Sequence, residues 1–156
     1  MIEIIAYRSE YQRDFKRLNL EWLDKYRLTE SHGLQMLDEP QAAVIEKGGC
    51  IFLAMDGERV IGTAGLLKGP GEAYELSKMA VAPSHHGRGL GRMLLERCLE
   101  EAKRLKSKKI FLFSNLRLAA ALKLYEKYGF RYVPVTGAPF ATADVKMELS
   151  LPENCK

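Results

Sequence analysis

"MAVAPSHHGRGLGRMLLE", residues 79–96, decides the reading of this chain. It opens on a short apolar stretch stopped by Pro83, which cannot donate to a sheet ladder. Gly87, Gly89 and Gly91 then alternate, with Arg88 and Arg92 threaded among them. A helical stripe follows at once, as Leu90, Leu94, Cys98, Ala102 and Leu105 recur every three to four residues. The order strand, glycine loop, helix has a physical consequence. Glycine admits positive φ and lets the main chain approach a ligand with no Cβ in the way. A helix start carries N–H groups without intrahelical acceptors and a partial positive charge. The segment therefore predicts an anion site suited to phosphate, to which Arg88 and Arg92 add pairing charge.

Two phosphate-binding motifs are excluded. No GxxxxGK[ST] string occurs. A GxGxxG dinucleotide fingerprint would need glycine where Arg92 stands, and would belong to a first βα unit rather than past the middle of the chain.

Outward from this segment, strands and helices mix. Ile2 to Tyr7 is a short apolar run that predicts a strand. Tyr11, Phe15, Leu18, Trp22 and Tyr26 mark one face of an amphipathic helix. Residues 27–44 have weak periodicity and predict a short helix flanked by loops, its helical part ending near Pro40. Cys50 to Met55 and Arg59 to Lys68 predict a hairpin across Asp56-Gly57. Ala73 to Val81 is a further strand after the Gly69 to Gly71 turn, and residues 108–114 a buried one. Residues 116–129 place Leu118, Leu122, Tyr125 and Tyr128 on one helical face and stop at Gly129. Residues 130–135 and 144–150 predict two last strands around a 136–142 loop. The pattern describes one α/β domain, 1–156, around a mixed sheet.

Composition narrows the function. The chain has 156 residues, 28% charged and 47% hydrophobic, with a net charge of +4. That excess suits an anionic ligand. No long Lys/Arg block or interleaving of aromatic and basic residues points to nucleic acid, and no apolar run is long enough for a bilayer. The N-terminus lacks the basic and apolar regions of a signal peptide. Cys50, Cys98 and Cys155 are scattered, and His85 and His86 are adjacent rather than spaced by four. The expectation is a cytoplasmic protein with reduced thiols and no metal.

"ELSKMAVAPSHHGRGLGRMLLE", residues 75–96, resembles the acetyl-CoA-binding segment of the GNAT superfamily of N-acetyltransferases. The family pattern is Arg or Gln, two residues, Gly, one residue, then Gly or Ala, after a strand ending in Val-x-Pro. This chain has His86 in the first position. "ALKLYEKYGF", residues 121–130, resembles the family's later helix. Two motifs in the right order are far more specific than one. The resemblance implies a mixed, mostly antiparallel sheet splayed at a cofactor slot, with helices on both faces.

It also implies a set of roles. Main chain of Met79, Ala80 and Val81 bonds the pantetheine arm of acetyl-CoA. His86, Gly87, Arg88, Gly89, Leu90, Gly91 and Arg92 cradle the pyrophosphate. Tyr125 protonates the departing thiolate, and a phenol with an ordinary pKa of about 10 holds that proton at neutral pH. Glu75 deprotonates the incoming ammonium, directly or through water. Many relatives carry Asn where Leu118 stands, and Asn115 takes that place here. The acceptor is a small-molecule or peptide amine, with Glu21, Glu30 and His32 beside it in the region between the first helix and the second strand. Its acidic residues suggest a cationic acceptor. The chain could act as a homodimer, and a non-catalytic acyl-CoA-binding regulatory module is the alternative.

Overall fold

The computed structural model describes residues 1–25, 31–136, 138 and 143–151, and leaves aside the side chains of residues 31–33. Seven strands form one sheet: β1 (Ile2–Ala6), β2 (Cys50–Asp56), β3 (Arg59–Lys68), β4 (Ala73–Val81), β5 (Lys109–Ser114), β6 (Arg131–Val133) and β7 (Val145–Ser150). Their order is β1-β2-β3-β4-β5-β7-β6. Neighbours run antiparallel except β4 and β5, which run parallel. Among the described residues four α-helices accompany them: α1 (Gln12–Lys25), α2 (Ser31–Asp38), α3 (Leu90–Arg104) and α4 (Ala119–Lys127). The α/β class, the mostly antiparallel sheet and the hairpin at Asp56-Gly57 are as the sequence predicts.

Alternation along the strands sends successive side chains to opposite faces. On β3, Thr63 meets Asn19 of α1, while a Cβ at Gly62 would point at Leu94 of α3, 3.0 Å away. So α1 and α3 cover opposite faces of the sheet, each burying its apolar stripe. Phe15 and Leu18 are buried on α1; Leu90, Leu94, Cys98 and Ala102 on α3. Cys98 is a packing residue, and burial raises the pKa of its thiol. Cys155 lies outside the described residues.

Two expectations need correction. After Pro40 the chain does not pass into a loop but makes a wide helical turn, Gln41–Ile45, closed by Glu46 N–H donating to the Gln41 carbonyl (2.8 Å). Pro40 lacks an N–H and so opens that turn without loss. The later helix begins at Ala119 rather than near Leu116. Asn115 Oδ1 accepts the Arg117 N–H (2.9 Å) and its carbonyl accepts the Leu118 N–H (2.9 Å), a local turn that competes with helix. Leu118 and Tyr128 therefore flank α4 as its end residues, and Tyr128 still packs against the core that buries Leu122 and Tyr125. Among the described residues no helix is long and apolar enough to cross a membrane.

Candidate functional site

β4 and β5 pair over three residues only, from Ala73 opposite Lys109 to Glu75 opposite Phe111. Beyond these they diverge, and a cavity of about 440 Å³ opens between them. Its walls are β4 from Leu76 to Val81, β5 from Leu112 to Ser114, the glycine loop, Asn19, Trp22 and Leu23 of α1, and Leu124 and Tyr125 of α4.

The divergence has a local cause. Between Thr63 opposite Ala80 and Gly65 opposite Ser77, β4 carries one residue more than β3. That is a β-bulge, with Lys78 at φ +57. Bulges sharpen twist and bend the strand, here within three residues of the last pair with β5. A buried polar chain holds the bulge in place. Thr63 Oγ1 donates to the Lys78 carbonyl (2.7 Å), while Asn19 Nδ2 donates to Thr63 Oγ1 (3.2 Å) and to the Phe15 carbonyl (2.9 Å). Asn19 and Thr63 escaped the sequence reading. The signal was an asparagine inside the apolar stripe of α1.

The glycine loop leads from β4 to α3. Gly87 and Gly89 have φ of +79 and +75, conformations that L side chains rarely adopt. The N–H groups of Gly87, Arg88 and Gly89 bond no main-chain acceptor among the described residues, and the first helical bond is Met93 N–H to the Gly89 carbonyl (3.0 Å). Six consecutive amides, 87–92, are thereby left for a ligand. This cradle of orphaned donors is what a pyrophosphate would fit. His85 clips the loop to the β2–β3 hairpin: with its proton on Nε2, it donates to Asp56 Oδ2 (2.9 Å), and Ser84 Oγ donates to Nδ1 (2.8 Å). That bond holds the Asp56 carboxyl below its ordinary value. His86 turns its ring back: Nε2–H donates to the Val81 carbonyl (2.9 Å), and the ring meets Trp22 edge-on.

Tyr125 lies on the α3 and α4 side of the cavity, nearly buried. Its hydroxyl donates to Met79 Sδ (3.7 Å), a weak acceptor, and burial raises its pKa above the ordinary phenol range. Met79 also lies near Gly91, where a Cβ would come within 3.7 Å of its methyl. Asn115 lines the cavity, with Oδ1 committed to its own turn.

Glu75 stands at the closed end of the V, at the last β4–β5 pair, on the α1 face and just outside the cavity wall. It is half-buried rather than an exposed strand carboxylate. Burial pushes its carboxyl up to about 7, against the lowering pull of Lys78 and Lys146. Glu21 pairs with Arg17 (3.4 Å) on an exposed face and borders a small hollow beside Val81 and His86. Asp38 pairs with Lys16. Glu30 and the side chain of His32 lie outside the described residues. No group of three or more His, Cys, Asp or Glu among the described residues could hold a metal ion.

Comparison with known proteins matches the acetyltransferase (GNAT) family over residues 6–130. An uncharacterized N-acetyltransferase of Bacillus subtilis, YvbK, is 30% identical over 106 residues, 65% of this chain and 68% of that one. Other curated relatives, from mycobacteria, are matched over 62% of their length. A GNAT-family acetyltransferase structure from Staphylococcus aureus Mu50 superposes with a TM-score of 0.89 at 20% identity, covering 97% of this chain and all of that one. YncA of Salmonella typhimurium, solved with its cofactor acetyl-CoA, superposes with a TM-score of 0.74 at 22% identity, covering all of this chain and 97% of the other.

Proposed function

The chain belongs to the GNAT family of acetyltransferases, and from that premise we propose that it moves an acetyl group from acetyl-CoA to a primary amine by direct attack. Acetyl-CoA supplies the activated acyl group as a thioester. The chain's own residues supply the rest. Amides 87–92, with Arg88 and Arg92, hold the pyrophosphate. The β4 edge from Leu76 to Val81, freed from β5, offers main-chain groups of Met79, Ala80 and Val81 to the pantetheine arm as an added strand would.

Catalysis then needs a neutral amine and a proton for the leaving sulfur. Glu75, poised near neutrality, takes a proton from the ammonium, directly or through one water. Tyr125, on the other side of the slot, keeps its proton at physiological pH and gives it to the thiolate. The Tyr125 hydroxyl already donates to a sulfur, that of Met79.

One observation carries this reading: the freed β4 edge and the loop of unpaired amides line one cavity, which makes the arm and phosphate sites continuous. Tyr125→Phe tests the chemistry. It should lower kcat by about 10²- to 10⁴-fold and leave acetyl-CoA binding nearly unchanged, since the hydroxyl matters only as thiolate develops. Wild-type turnover in that variant would return Tyr125 to a packing role.

A further inference from the structure

β4 carries two opposite charges whose side chains bond neither each other nor any other described residue. Glu75 and Lys78 lie three residues apart, the first at the last β4–β5 pair and the second at the bulge, with Lys78 lining the cavity. Both are half-buried, and each senses the other electrostatically. Yet with the other described residues neither side chain makes a hydrogen bond or an ion pair within 4 Å, whereas Lys109, on the neighbouring strand, pairs with Glu148 (3.4 Å). Lys146, the second cation near Glu75, is already engaged: Nζ donates to the Thr136 carbonyl (3.2 Å) and lies over the Phe111 and Phe113 rings at 5.5 and 5.3 Å. Lys78 is therefore the cation left over.

A charge taken partly out of water is costly unless it is paired. Lys78 holds a left-handed backbone pinned through its carbonyl by Thr63, so its position on β4 is fixed. A ligand with both charges would complete both groups at once. We propose that the acceptor is a zwitterionic amine of the amino-acid type, its amine at Glu75 and its carboxylate at Lys78. The inference rests on the reading of Glu75 as the group that receives the amine. Lys78 is then a specificity residue, and the acidic α1–α2 region is not what selects the acceptor.

The test is a panel of L-amino acids, each assayed against its carboxamide and its decarboxylated amine, with wild type, K78M and K78R. In at least one series the free acid should exceed both analogues in kcat/KM by about ten- to a hundredfold, the worth of a charge-assisted hydrogen bond. K78R should keep that preference, and K78M should lose it through KM. An acetyl-CoA-induced rise in melting temperature in each variant shows that the fold is intact. Equal or better use of the amides and amines in every series overturns the inference, as does a preference that survives K78M. If the decarboxylated amines turn over in a Tyr125-dependent way without any carboxylate preference, only this inference falls. If no amine of any kind is acetylated, the transferase reading falls with it.

Discussion

Glu75 shows how far a single residue's chemistry is set by what surrounds it. A strand carboxylate in water ionises near 4.5, and here burial moves that to about 7. If Glu75 receives the proton of the acceptor, kcat/KM for the amine should rise with pH through about 7 and level off above it, and Glu75→Gln should remove that limb. The same shift acts on stability with a definite sign. Below about pH 4.5 the carboxyl is protonated folded or unfolded, and nothing is lost. Between 4.5 and 7 the unfolded chain releases its proton first, so the native state loses stability as pH rises. The melting temperature of Glu75→Gln, measured against wild type, should therefore climb across that window and stay constant beyond it. A pH-independent difference would mean that the carboxyl titrates as an ordinary exposed group.

At the scale of elements, the slot depends on one irregular strand. β4 begins as a regular partner of β3 and β5, takes an extra residue at Lys78 and leaves β5. The chain from Asn19 through Thr63 to the Lys78 carbonyl ties α1, β3 and the bulge together. Thr63→Val keeps the shape but removes the donor to that carbonyl and the acceptor for Asn19. Leaving buried polar groups unpaired costs about 1–3 kcal/mol each. The variant should melt lower in denaturant titration and also bind acetyl-CoA more weakly, since the bulge lies within the freed edge. A loss of stability with unaltered binding would make the chain a packing device alone.

At the scale of the molecule, the sheet separates the two halves of the proposed reaction. Tyr125, Met79 and α3 lie on one face, and Glu75, Phe111 and α1 on the other, with the slot as the passage between them. Acetyl-CoA should fill that passage like a missing strand. Amide hydrogen exchange would then slow along residues 76–81 and 87–92 and stay unchanged in β2 and β3, which are paired on both sides. Gly89→Asp puts a side chain on a φ of +75 and a negative charge beside the proposed phosphate cradle, and should abolish that protection. Protection spread evenly over the sheet would argue for general tightening instead of strand addition.

The order of elements, the hairpin, the glycine loop and the two motifs were legible in the sequence because each is local. A turn is set by the two residues in it, and an amphipathic face by spacing along one segment. The unpaired amides proposed to hold phosphate belong to consecutive residues, so they too could be read in line. What only the tertiary structure decided involves partners far apart in the chain. Asn19 and Thr63 are 44 residues apart, and their bond makes sense only with the Lys78 carbonyl beside them. The proton affinity of Glu75 depends on burial and on Lys146, 71 residues away by number. The turning of His86 onto Val81, the bulge under Lys78 and the pair of charges left without partners follow from how α1, β3 and β5 meet β4. Desolvation and charge separation are properties of that meeting, and no single segment contains them.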